Sequence, residues 1–130
     1  MPAPLVATYS VASLVAAHTA FRDLMDSGIG AGYINILDSS DTVLSTVPLT
    51  KPCGSVNVAT GQLTITADGV DGSAAATGTA AYGRFCDGDG VVHLSLPAQA
   101  GNAPAPGKLM MSSLAIEYAG PVEVISVTVG

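Results

Sequence analysis

The stretch Phe85-Cys86-Asp87-Gly88-Asp89-Gly90-Val91-Val92 sets two aspartate–glycine pairs between apolar residues, and its reading decides the fold. Asp-Gly pairs supply the positive φ that tight hairpin turns need. A two-residue turn at Gly88-Asp89 predicts Cys86 opposite Val91, Phe85 opposite Val92 and Arg84 opposite His93. Sliding the turn to a neighbouring Asp-Gly shifts the pairing by two and keeps the faces. Phe85, Val92, Leu94 and Leu96 are then expected on the core side, with Tyr82, Arg84, His93 and Ser95 on the other.

Outward from this hairpin the apolar period stays at two. Tyr33–Leu37 alternates, with Ile34 and Ile36 on one face. The turn Asp38-Ser39-Ser40-Asp41 follows, then Thr42–Leu49 with Val43 and Val47 on one face. Pro48 and Pro52 are expected to end that strand and Lys51–Ser55 to be a connector, because proline supplies no ladder donor. Gln62–Asp68 places Leu63, Ile65 and Ala67 inward. The stretches Thr77–Asp87, Gly90–Leu96, Met110–Tyr118 and Pro121–Val129 complete the set. About seven short, Thr- and Val-rich strands at this spacing predict a mainly β fold, a small antiparallel β-sandwich, with a closed barrel as the alternative.

The amino-terminal part differs. MPAPLVATY (residues 1–9) carries two prolines and no charge and reads as an extended arm. Val11, Leu14, Val15, His18, Phe21, Leu24 and Met25 recur at three- and four-residue steps, so one helix is predicted over about residues 10–28. Ser10 or Ser13 is placed to cap it, and Gly28, Gly30 and Gly32 to stop it. A single domain over residues 10–130 follows, preceded by the arm. The segment PAQAGNAPAPGK (residues 97–108) holds three prolines and two glycines and is expected to be an irregular loop.

Composition narrows the function. The 130 residues are 48% hydrophobic and only 11% charged, with a mean hydropathy of +0.50. A chain this long buries roughly two thirds of its unfolded surface, and disordered chains have the opposite balance. Four cations (Arg22, Lys51, Arg84, Lys108) face ten carboxylates, for a net charge of −6. Such a surface repels phosphate, so no nucleic-acid partner is expected. The apolar stretch Leu5–Phe21 raises a signal peptide, but its first basic residue is Arg22, so no leader is expected; nor is any membrane span. Cys53 and Cys86 lie 33 positions apart and are expected to be reduced, packed thiols, a bridge being the alternative.

The residues that carry chemistry are sparse. A nucleophile needs a base, and the two histidines are His18 and His93. His18 sits on the apolar stripe of the helix and reads as a core-edge residue with one satisfied nitrogen. His93 is expected opposite Arg84, exposed and neutral. An enzyme would need Cys86 and His93 within reach of one another in a cleft. Asp87 and Asp89 invite a calcium reading, yet calcium loops supply six or more oxygens, so turn chemistry is the expected role. No catalytic residue, metal site or cofactor is expected. The uncharged arm and the proline-rich loop instead suit burial against another protein, since interface centres are depleted in charge. The alternative is that both fold back on their own domain.

ATGTAAYGRFCDGDGVV (residues 76–92), with the closing PVEVISVTV (residues 121–129), resembles the carboxy-terminal half of small structural proteins encoded among the head and tail genes of tailed bacteriophages. The likeness extends to the short helix ending in Asp26-Ser27-Gly28-Ile29-Gly30-Ala31-Gly32 and the strand Tyr33–Leu37. It implies a non-enzymatic virion component made in the host cytoplasm, of capsid cement or decoration type, on the outer surface of the capsid. The implied partners are the major capsid protein and copies of the chain itself, as a trimer or dimer. A tail or neck protein, or a carbohydrate- or cell-surface-binding module needing clustered tyrosines, are the alternatives. Pro2, Pro4, Leu5 and Val6 in the arm, and Pro104, Pro106 and Met110 in or beside the loop, are the candidate partner contacts.

Overall fold

The computed structural model describes residues 10–68, 72–105 and 107–129. These form one helix, α1 (Val11–Met25), and nine strands. The strands are β1 (Tyr33–Leu37), β2 (Val43–Val56), β3 (Leu63–Ala67), β4 (Gly78–Thr79), β5 (Tyr82–Cys86), β6 (Val92–Ala100), β7 (Lys108–Met111), β8 (Ala115–Ile116) and β9 (Val124–Val129).

The mainly β class with one helix holds, but the sheet closes. Among the described residues seven strands form a barrel in the order β1-β2-β3-β9-β7-β6-β5, with β5 returning to β1. An odd ring of strands cannot alternate direction all the way round, so at least one junction must be parallel. That junction is β6–β7, with Ala98 opposite Leu109 and Ala100 opposite Met111. The predicted sandwich is therefore corrected to a barrel, and the reason lies in two long strands. β2 pairs with β1 through residues 43–48 and with β3 from Leu49 onward. β6 pairs with β5 up to Pro97 and with β7 from Ala98. Each strand thus leaves one sheet for the other, as at the corners of orthogonally packed sheets.

The prolines read as strand ends mark these corners. Between Leu49 and Gly54 the β2–β3 register breaks, and Pro52 sits in that gap, where no ladder donor is required. Lys51–Ser55, expected as a connector, is strand throughout. Likewise β6 runs three residues past Pro97 into the segment expected to be irregular.

Alternation fills the interior. Ile34, Ile36, Leu44, Val47, Leu63, Ile65, Phe85, Leu109, Met111 and Val127 form the core. Two faces were misassigned by the two-residue period. A bulge between Ile36 and Leu37 puts Leu44 inside and leaves Val43 39% exposed. A second bulge between Phe85 and Cys86 pairs Cys86 with Val92, burying the thiol and exposing the valine. Ser10 caps α1, its Oγ accepting the Ser13 N–H at 3.1 Å, and the helix packs Phe21 and Met25 against the core. His18 Nδ1 donates to the Gly61 carbonyl at 2.6 Å, the core-edge role expected of it.

Candidate interaction surface

The β5–β6 hairpin turns at Gly88-Asp89, but with an added residue. Gly90 N–H donates to Asp87 O and Asp87 N–H to Val91 O, both at 3.0 Å, while Gly90 takes φ +88. This is a type I turn closed by a left-handed glycine, which lengthens the loop. Phe85 consequently faces Leu94, and Arg84 faces Ser95 instead of His93, the shift by two that keeps the faces.

His93 turns to Asp87. Its Nε2 donates to Asp87 Oδ2 at 2.8 Å, with 14% of the imidazole side chain exposed. Asp87 Oδ1 accepts the N–H groups of Asp89 (2.9 Å) and Val91 (3.0 Å). Both carboxylate oxygens are thus used inside the turn. The His93 bond, then the Val91 N–H, hold the Asp87 carboxyl below the usual carboxylate value. The expected exposed His93 opposite Arg84 is therefore corrected to a mostly buried partner of Asp87.

The Cys86 thiol donates to the Arg84 carbonyl at 3.9 Å, and burial pushes it up, away from a reactive thiolate. Cys53 is pushed up to about 11, by burial first and the Asp26 carboxylate second. Both cysteines are free and buried.

The turn lies backbone to backbone against the loop that ends α1. A Cβ at Gly88 would stand 2.3 Å from Gly30 O, one at Gly28 2.9 Å from Gly88 Cα, and one at Gly32 2.5 Å from Cys86 O. Side-chain bonds hold the same loop from other directions. Lys51 Nζ donates to Gly28 O at 3.0 Å, Ser27 Oγ to Leu24 O at 2.7 Å, and the Cys53 N–H to Asp26 Oδ1 at 3.0 Å. Gly32 O accepts from Leu49 N–H at 3.0 Å.

Out of this pinned backbone stand apolar side chains. Ile29 is 99% exposed, and Leu24, Val91 and Val92 are about half exposed beside the same loop and turn. Their backbone is already ordered, so covering them gains apolar burial without the entropy cost of fixing a loose loop. In the sequence the glycines at 28, 30 and 32 signal only a helix stop; the one sign of this surface is the isoleucine set between Gly28 and Gly30.

The outer face of β1 and β5 carries a polar group. The Tyr82 hydroxyl donates to the Asp41 carboxylate, Arg84 Nη2 donates to the Tyr82 oxygen at 3.0 Å, and Thr46 Oγ1 donates to Asn35 Oδ1 at 2.8 Å. Of the described tyrosines, Tyr33 and Tyr82 lie at opposite ends of β1's pairing with β5, and Tyr118 lies between β8 and β9. They do not gather into an aromatic platform.

The predicted contacts fall unevenly. Pro2, Pro4, Leu5, Val6 and Pro106 lie outside the described residues. Pro104 is exposed at the surface of its loop. Met110 is corrected: only 2% exposed, it is buried in its own chain. A Cβ at Gly101 would lie 3.0 Å from Met110 Cε, and Gly101 N–H donates to Met111 O at 3.0 Å. The chain after β6 thus folds back over β7, the arrangement weighed as the alternative for this loop. A comparison with known family models, curated proteins and solved structures finds no match.

Proposed function

We propose that the protein is a non-enzymatic structural component of a virion, a cement or decoration protein. It binds the outer surface of a major capsid shell and packs against copies of itself. The observation that carries the adhesive reading is the fully exposed Ile29 on a backbone locked between the Asp87–Gly90 turn and Lys51. A soluble domain gains nothing alone from an ordered, uncovered isoleucine; an interface does, because rigid apolar anchors in its centre dominate affinity. The resemblance of residues 76–92 and 121–129 to tailed-phage structural proteins supports the capsid address. The Ile29 end is the contact, with Pro104 a second point on the surface.

The test is to add purified protein back to capsids lacking it and count the bound copies by quantitative mass spectrometry. Saturation at a stoichiometry matching the capsid lattice supports the reading. Binding confined to a single ring at one vertex moves the protein to the neck or tail, and no uptake removes the virion reading.

A further inference from the structure

The turn Asp87-Gly88-Asp89-Gly90 holds two carboxylates and uses one. Asp87 accepts from Asp89 N–H, Val91 N–H and His93. Asp89 contributes only its N–H and stands exposed at the hairpin tip. Among the described residues no hydrogen bond or ion pair engages its carboxylate.

Arg84, on the outer face of the same hairpin, has the complementary need. Its register partners are Asn35 on β1 and Ser95 on β6, so the three form a row across the strands. Arg84 Nη2 donates to the Tyr82 oxygen at 3.0 Å, and the guanidinium carbon lies 5.4 Å from the centre of that ring. The Tyr82 hydroxyl donates in turn to Asp41, which takes a left-handed backbone at φ +65. Asp41 thus meets the tyrosine instead of the arginine, and no described carboxylate lies within ion-pair distance of Arg84. A guanidinium has five N–H groups on two edges that share Nη2. Whichever Nη2 hydrogen Tyr82 accepts, one complete edge of two N–H groups remains, the shape a carboxylate fills. Asn35 Oδ1 accepts from Thr46 at 2.8 Å, so the Asn35 amide nitrogen adds a donor beside that edge.

Between Arg84 and Asp89 the outer surface is apolar. Tyr33 and Val92 flank Cys86 from either side in the register, and Val91 continues to the tip. Both valines are about half exposed. The order along the hairpin is therefore cation, apolar, anion, which a two-fold rotation lays onto its own reverse. The geometry points to a second copy as the occupant. Two β5–β6 hairpins lie antiparallel about a two-fold axis, with Val91 and Val92 packed at the axis and Arg84 of each copy against Asp89 of the other. An interface of this symmetry must be self-complementary, and this one has an apolar centre with its charges toward the rim. Copies of net charge −6 repel one another, and the two Arg84–Asp89 pairs offset that repulsion at the contact and fix its register. The inference rests on the proposed packing of copies against each other and names where they meet; Ile29, on the adjoining loop, is left to the shell.

Sedimentation equilibrium of the full chain tests it. The wild type is expected to dimerise reversibly as its concentration rises, and more weakly in high salt, which screens the two pairs. Arg84→Glu and Asp89→Arg should each weaken the dimer about tenfold or more, since each sets like charges together. Mixed in equal amounts, the two variants should associate as the wild type does, because their heterodimer opposes acid and base at both contacts. Folded variants that do not recover on mixing overturn the assignment. Arg84 is half-buried, so where Arg84→Glu fails to fold, Asp89→Arg and Val92→Asp, both at exposed positions, decide. A dimer as tight as the wild type's in either of these overturns the interface, as does a wild type still monomeric at about 1 mM. Capsid uptake is read separately. A monomer that still saturates capsids overturns this interface alone, and a dimer that no capsid takes up overturns the virion reading alone.

Discussion

Gly88→Ala and Gly30→Ala put opposite demands on one contact, and together they test whether the exposed apolar end is locked as described. At Gly88 the new Cβ would sit 2.3 Å from Gly30 O and 2.9 Å from Gly30 C, about 1 Å short of ordinary contact. Those atoms are backbone, so relief requires the two loops to part. Overpacking of this kind costs about 1–3 kcal/mol. Unfolding entropy near 2.1 cal/mol/K per residue converts this to a Tm loss of about 4–11 °C. At Gly30 a Cβ meets nothing within 4 Å, and its φ lies outside the left-handed range, so alanine there costs no strain. Removing glycine's freedom in the unfolded chain should stabilise by about 0.4–1 kcal/mol, raising Tm by roughly 1–4 °C. Calorimetry of the wild type and the two variants at neutral pH decides it. Equal Tm for Gly88→Ala and the wild type, or losses in both variants, would refute the backbone-on-backbone contact.

Other outcomes follow from the core and the titrating groups. Phe85→Ala, at the centre of the barrel core, should lose about 3–5 kcal/mol in denaturant unfolding. Because the Asp87 carboxyl is held below its ordinary 3.8 in the folded state, its contribution is complete above that value and lost as pH falls through the lowered one. The Tm gap between wild type and Asp87→Asn should therefore be constant near neutrality and close in acid; a gap that persists unchanged at low pH contradicts the Asp87–His93 pairing. With Cys53 pushed up to about 11 and both thiols buried, a disulfide reagent at mild alkaline pH should titrate neither cysteine until the protein unfolds. Rapid reaction in the native state would contradict that burial.

How much was legible depends on whether the signal was local. Tyr33–Leu37 and Leu63–Ala67 matched their strands because alternation over a few residues is a local pattern, and Ser10 capped the helix as its position implied. Closure of the barrel was not local. It rests on β7 pairing in parallel with the far half of β6, across a segment whose composition reads as loop. Pro48 and Pro52 read as ends because proline supplies no ladder donor, yet Pro48 keeps its register opposite Tyr33 and Pro52 falls where the β2–β3 register breaks. Val43 and Val92 were placed inside because single-residue bulges, which no pattern of polarity marks, reverse every face beyond them. The Asp87–His93 bond depends on that same bulged register. Ile29 escaped because its importance lies in what holds its neighbours still: Gly88, Lys51 and Cys86 are distant in sequence.

The proposed role of Ile29 as a rigid anchor for assembly is tested most directly by the affinity of Ile29→Asp for capsids lacking the protein. Its side chain makes no contribution to the core, so the variant should melt within a degree or two of the wild type. Burying an isoleucine is worth about 1.5–3 kcal/mol, so binding should weaken at least tenfold. Wild-type affinity in a variant of unchanged stability would contradict the claim that this end of the barrel is the adhesive surface.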